Sequence, residues 1–195
     1  WSELNKTMQA QIKKKDTYKM GIDTLFNLRR QLMQTLVSFK EDLCREDFNA
    51  IPFINADGYH SKTIAYSIWH IFRIEDIVAH TVITEDEQVF FTGNYQVRIN
   101  SPIITTGNEL VKQQIADFSK QLNLEELYSY IFEVRESTEK ILERFSYDEL
   151  KWKIPDERKG YLKSLNVVNC DEKAIWLIDY WCSKDIRGLI QMPFS

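Results

Sequence analysis

Histidine is the side chain best suited to move a proton near neutral pH, and all three histidines of this chain, His60, His70 and His80, fall within residues 59–85. Ile64, Ile71, Ile74, Val78 and Val82 recur there at three- and four-residue spacing, and at ~100° per residue Glu75 projects into the middle of that apolar stripe. A carboxylate in that position faces the interior and needs a hydrogen-bonded or charged partner from another part of the chain. Glu75 therefore reads as a structural anchor before it reads as a general acid. His70 lies on the shoulder of the stripe, where a side chain looks into a cavity between helices, and reads first as a satisfied histidine at the core edge. His60 and His80, near the helix ends, read as solvent-facing. Asp179 and Cys182 are three apart, so one helix presents both on one face. With His70 they form a weak candidate metal set, and with His70 and Glu75 they are the expected lining of a cavity. Cys182 has no histidine beside it in sequence and reads as a small buried hydrophobe. A Ser-His-Asp hydrolase of the common α/β type would carry G-x-S-x-G, and no such motif is present.

The remaining composition limits what these residues serve. At 195 residues the chain is read as one domain over 1–195, and 44% hydrophobic with 13% aromatic residues is ample for a single core. Six Gly and four Pro are few for that length and favour long helices. A net charge of -4 speaks against nucleic acid as a partner, and the Lys13-Lys14-Lys15 run reads as a solvated helix surface. Cys44, Cys170 and Cys182 are odd in number, without metal or redox spacing, which suits a reducing cytoplasm. No apolar run reaches the ~20 residues of a membrane span, so no membrane partner is expected.

Four amphipathic patterns must position these groups, and they predict an all-α four-helix bundle with long helices near 16–46, 60–84, 123–145 and 171–191. Met20, Leu25, Leu28, Leu32, Leu36 and Phe39 track one face of the first, in which Gly21 is a weak point. A short polar helix over 2–15 precedes it, and Asn49 to Gly58 reads as a loop with an Asp57-Gly58 turn. Ser61 is the expected cap of the second long helix. Residues 86–107 break the pattern as a long excursion between the second and third long helices, of the kind that serves function or acts as a packing lid. Thr106 to Glu109 has the form of a capping box opening a helix to about Leu122. Residues 147–163 read as a connecting loop. The last helix carries Ile175, Ile178, Cys182, Ile186 and Leu189 on one face, with Asp179 at its edge and Trp69, Trp176 and Trp181 as core filler.

Trp69-His70 followed by Arg73-Ile74-Glu75-Asp76, then Ala174-Ile175-Trp176, Tyr180-Trp181 and Arg187-Gly188, resemble the DinB/YfiT-like superfamily over about Asp16 to Met192. The resemblance implies a four-helix bundle. Its metal-binding members take one histidine from the second helix and an HxxxH pair from the last, a spacing that lets two imidazoles clasp one ion. His70 matches the first ligand, whereas the pair falls on Cys182 and Ile186, and isoleucine supplies no donor. The expectation is a protein without cofactor that binds a small molecule or serves a stress response. The alternative implied by active relatives is a metal-dependent thiol S-transferase or hydrolase using a divalent ion such as Zn or Ni. Relatives commonly pair through bundle helices, and with so many aromatics a homodimer is expected.

Overall fold

A computed structural model describes residues 1–53, 55 and 61–192. His60 and the Asp57-Gly58 turn lie outside the described residues. Among the described residues the chain is all-helical, with a single isolated antiparallel bridge between Lys153 and Asp185 and no strand. No helix among the described residues is long and apolar enough to cross a membrane.

Helix α1 (Ser2–Ile12) lies against the start of α2 (Tyr18–Asp42), burying Met8 and Ile12 with Leu25 and Leu28. Gly21 is the contact point of that crossing: a Cβ there would stand 2.7 Å from the backbone nitrogen of Ile12. The first long helix is shorter than its pattern suggested. It stops at Asp42 and a separate turn of helix, α3 (Arg45–Asn49), follows, with Asp47 Oδ2 accepting the Cys44 amide at 2.9 Å. Met20, placed on the buried face by spacing alone, is exposed.

The second long element is α4 (Ile64–Asp76), capped by Thr63, whose hydroxyl accepts the Tyr66 amide at 3.0 Å; Ser61 is not the cap. It continues as a π-helical segment (Ile77–Thr84) that ends on Glu85 at φ 62. The broad buried face carries Trp69, Phe72, Arg73 and Asp76, which leaves Ile64, Ile71 and Ile74 half-buried at its flanks.

The excursion contains α5 (Val89–Thr92) and α6 (Tyr95–Ile99). No helix opens at Thr106: residues 100–112 are irregular and α7 spans Gln113–Gln121. The anticipated capping box does not form: Thr105 hydrogen-bonds the Glu109 carboxylate and Thr106 donates to Asn108 Oδ1 at 2.7 Å, side chain to side chain in both cases. Helix α8 (Leu124–Leu142) starts close to where its pattern does, with Asn123 Oδ1 accepting the amides of Glu125 and Glu126.

The segment read as a loop holds a 3-10 turn (Glu149–Lys151) and α9 (Glu157–Ser164). The last long helix is broken into α10 (Glu172–Cys182) and α11 (Ile186–Ile190). The break has a visible cause. The Ile186 amide bonds to Trp152 O at 3.1 Å, beside the Lys153–Asp185 bridge, and Asp185 Oδ1 caps the new helix through the Gly188 amide at 2.8 Å. The buried face of α10 is Ala174, Leu177, Ile178 and Trp181. Trp176 is therefore on the outside, 49% exposed, instead of in the core.

Apolar side chains collect in two clusters. One joins α1 and the start of α2 to the π segment, α10 and α11; the other joins the end of α2 to α4, α5, α6, α7 and α8. Between them lies a polar layer. Arg29 of α2, Glu75 and Asp76 of α4, and Thr138 of α8 are all buried there.

Candidate functional site

His70 leaves α4 toward the irregular stretch that follows the excursion. Its Nδ1 stands 2.8 Å from Thr106 O. A carbonyl oxygen only accepts, so Nδ1 carries the hydrogen and the neutral ring presents a bare Nε2. Nε2 has no partner among the described residues, and His70 lines a groove of about 430 Å3 with Lys62, Tyr66, Ser67, Ile71 and Asn108. The ring stacks on Tyr66, with centroids 5.6 Å apart and planes 10° from parallel. Tyr66 is itself fixed, its hydroxyl donating to Gly107 O at 3.0 Å. Gly107 sits at φ +79, and a Cβ there would come within 3.0 Å of the Tyr66 ring, so glycine is what lets the backbone approach this closely.

Lys62 spans the mouth, its Nζ 4.9 Å from the centre of the Tyr66 ring. Partial burial, and after it the charge of Lys173, hold the Lys62 ammonium below its ordinary pKa. Neither lysine has an ion-pair partner among the described residues. The groove thus brings together an acceptor nitrogen, hydroxyl and amide groups and the Lys62 ammonium, with the Glu109 carboxylate near enough to act on His70 and Tyr66; a small anion that also donates a hydrogen bond finds partners there.

Burial pushes the His70 pKa below its ordinary value of 6.5, and Lys62 pushes in the same direction; the Thr106 carbonyl and Glu109 oppose it without prevailing. The sign for stability follows. Above about pH 6.5 the contribution of neutral His70 is complete. As pH falls through that value and on to the lower folded one, the unfolded chain takes up the proton first, and stability is lost. Urea unfolding between about pH 7.5 and pH 5 should show this slope, and His70→Gln should flatten it. An NMR titration placing the His70 ring at or above its ordinary midpoint would contradict the assignment.

Glu75 lines a different cavity. Its Oε1 accepts from Arg29 Nη2 at 2.6 Å, both side chains being buried, so the interior partner that the apolar stripe demanded is an arginine of α2. Burial works against the Arg29 charge, but Glu75 and then Glu139 more than offset it and hold the pKa above its ordinary value. Around this pair Ile74, Val78, Ala79, Ile83, Ile141 and Leu189 enclose an apolar space whose free volume is about 20 Å3, room for a water. The Thr138 hydroxyl on its wall is buried with no hydrogen-bond partner among the described residues.

The other two expected lining residues do not join His70 or Glu75. The inward face of α10 is turned so that Asp179, next to Ile178 but about 100° further round, points to solvent. Its side chain is 77% exposed and bonded to Lys159 at 2.8 Å, which holds its pKa low. Cys182 is half-buried at the margin of the first cluster, and burial raises its thiol pKa. Ile186 is buried among apolar neighbours. Among the described residues no three His, Cys, Asp or Glu side chains converge as an ion requires. The candidate donors therefore do not fit a metal: of the positions that the resemblance pairs with His70, Ile186 has no donor and Cys182 carries a raised-pKa thiol, while Asp179, the other residue of the weak candidate set, is engaged by a lysine. No family model matches this chain, and neither does any curated protein.

One constellation escaped the reading of the sequence. His80, placed there at a solvent-facing helix end, is only 5% exposed. Its Nδ1 stands 2.6 Å from Asp86 Oδ1, and its Nε2 is 3.0 Å from Ser137 Oγ of α8. The π segment turns the ring inward, a change invisible to a 3.6-residue period. The partners lie six and fifty-seven positions away; only the nearer could have been suspected from spacing.

Proposed function

We propose that this protein is a DinB-like four-helix bundle that binds a small anion, a carboxylate or phosphate carrying a hydroxyl, in the His70 groove, and that it lacks the family's metal chemistry. The bundle reading is supported by the way α2, α4 with its π segment, α8, and α10 with α11 each give a face to the two apolar clusters. The observation that carries the ligand reading is the fixed tautomer of His70. Its bare Nε2 is oriented by the Thr106 carbonyl and faces a groove in which Lys62, with Lys173 close by, has no acidic partner among the described residues. The Lys62 and Lys173 ammonium groups repel, and an anion bound beside Lys62 relieves that repulsion. The Tyr66–His70 stack supplies a rigid wall, so little side-chain freedom is lost on binding. Against metal-dependent thiol transfer or hydrolysis stand the separated donors described above.

Titration calorimetry at low ionic strength, with inorganic phosphate in one series and lactate in another, tests this. Saturable binding of either probe is expected, weakened roughly tenfold by Lys62→Ala, equivalent to about 1.4 kcal/mol, and weakened further by added salt. Preference for one probe identifies the anionic group. Absence of saturable binding by both, with the protein folded, would refute the reading.

A further inference from the structure

We propose that Ser137, His80 and Asp86 form a nucleophilic relay that hydrolyses activated acyl esters, at a place separate from the His70 groove and independent of it. The order of contacts is the one that acyl transfer needs: hydroxyl, then imidazole, then carboxylate. Asp86 Oδ1 accepts from His80 Nδ1 at 2.6 Å and also from the Thr84 hydroxyl at 2.6 Å, so the carboxylate is held by two donors. With hydrogen on Nδ1, Nε2 is the acceptor for the Ser137 hydroxyl at 3.0 Å. His80 is buried, while Ser137 is half-buried and Asp86 exposed, so the hydroxyl end is accessible from solvent.

The backbone is shaped to make this contact. After the π segment Glu85 takes φ 62, and the Asp86 amide folds back to His80 O at 3.0 Å. A left-handed glutamate costs on the order of 1–2 kcal/mol, and such strain persists where surrounding contacts over-determine it. Here Arg158 supplies those contacts, donating to Thr81 O at 2.6 Å and to Glu85 Oε2 at 2.9 Å. π-helical turns are concentrated at functional sites, and this one carries the imidazole.

The reaction balances with water as the only co-reactant. Ser137 Oγ forms a bond to the acyl carbon while its proton passes to His80 Nε2. The ester C–O bond then breaks, and the imidazolium returns the proton to the departing oxygen. Water attacks the acyl-Ser137, giving its proton to Nε2; the carboxylic acid leaves, and Ser137 Oγ recovers its hydrogen. Substrate class follows from what surrounds the hydroxyl. Ser137 lies within α8, where its amide is committed to the helix, so the backbone offers no oxyanion donor at the nucleophile. Loss of one such donor costs about 10²–10³ in rate, which restricts the chemistry to good leaving groups such as phenolates.

The test uses the full chain with a fluorophosphonate probe and with p-nitrophenyl acetate. One phosphonyl adduct is expected, mapped to Ser137 by peptide mass, together with turnover of the ester. Ser137→Ala should abolish both, and Asp86→Asn, a change at an exposed position, should slow both at least about tenfold, since a misdirected imidazole loses its tautomer control. An unlabelled wild-type protein would overturn the proposal. So would labelling or turnover that survives Ser137→Ala, or a folded Asp86→Asn variant that reacts at the wild-type rate, since a purely structural clasp predicts those results.

Discussion

Glu75→Gln should destabilise the fold by about 3–5 kcal/mol, the cost of removing one partner from a buried ion pair. The variant leaves the Arg29 guanidinium in the polar layer with weaker company, Glu139 Oε1 and Arg135 O, each at 3.4 Å. Those contacts are long and Glu139 is partly solvated, so they replace little of the 2.6 Å bond to Glu75. The urea midpoint should fall with an unchanged denaturant slope, because the folded state remains compact. Replacing both partners by methionine should cost far less than the single change, since no charge is then stranded. A single-variant loss below about 1 kcal/mol would mean that Arg29 and Glu75 do not form the buried pair.

How far such features were legible depends on which physical signal carried them. The burial of Glu75 follows from helical period, because the residues flanking it are apolar at every third or fourth position; its partner does not, since nothing local ties Arg29 to it across 46 residues. The helix starts near 123 and 171 were legible from the apolar pattern, and the structure adds local chemistry there, the Asn123 and Asp171 side chains accepting amides of the first turn. Asp179 was misplaced for a related reason. Ile175, Ile178 and Cys182 define an apolar stripe by themselves, but Leu177 and Trp181 bury more surface and turn α10 by most of a residue, carrying Asp179 outward. The break at 183–185 is tertiary: the Ile186 amide is taken by Trp152 O, thirty-four positions earlier in the chain.

The candidate sites divide in the same way. His70 was visible because it stands at the edge of an apolar face next to Trp69. Its tautomer was not, since Thr106 O comes from an irregular segment whose path depends on Gly107. The His80 relay was hidden twice over, by a π segment that no α-helical projection reproduces and by a serine on a helix without any nucleophile motif. The excursion after that segment was legible as an interruption and not as an anchored structure. What anchors it is the pair Arg73 and Asp76, each fully buried.

Arg73→Met should therefore cost about 3–5 kcal/mol as well, and should do so by releasing the excursion. Arg73 donates to Asp76 Oδ2 at 3.1 Å, to Gln88 Oε1 at 2.9 Å and to Ile104 O at 2.7 Å, so one guanidinium ties α4 to both ends of residues 88–104. Its Cζ also lies 4.3 Å from the centre of the Phe90 ring, which adds a cation–π contact in a desolvated setting. Asp76 holds the same segment from the other side, accepting the amides of Val89 and Phe90 at 2.9 Å each and the Tyr130 hydroxyl at 2.8 Å. Methionine retains most of the packing volume but leaves the Ile104 carbonyl and the Gln88 amide oxygen buried without that donor, and the Asp76 carboxylate without its cation. The loss should be local first. Hydrogen exchange at Val89, Phe90 and their neighbours should accelerate more than exchange in α2 or α8, since opening the excursion becomes less costly than global unfolding. The His70 groove should respond too, because Thr106 follows Ile104 by two residues and supplies the carbonyl that sets the ring. If Arg73→Met lowers stability while exchange rises uniformly through the chain, the arginine is a general core residue and the anchoring role assigned to it is wrong.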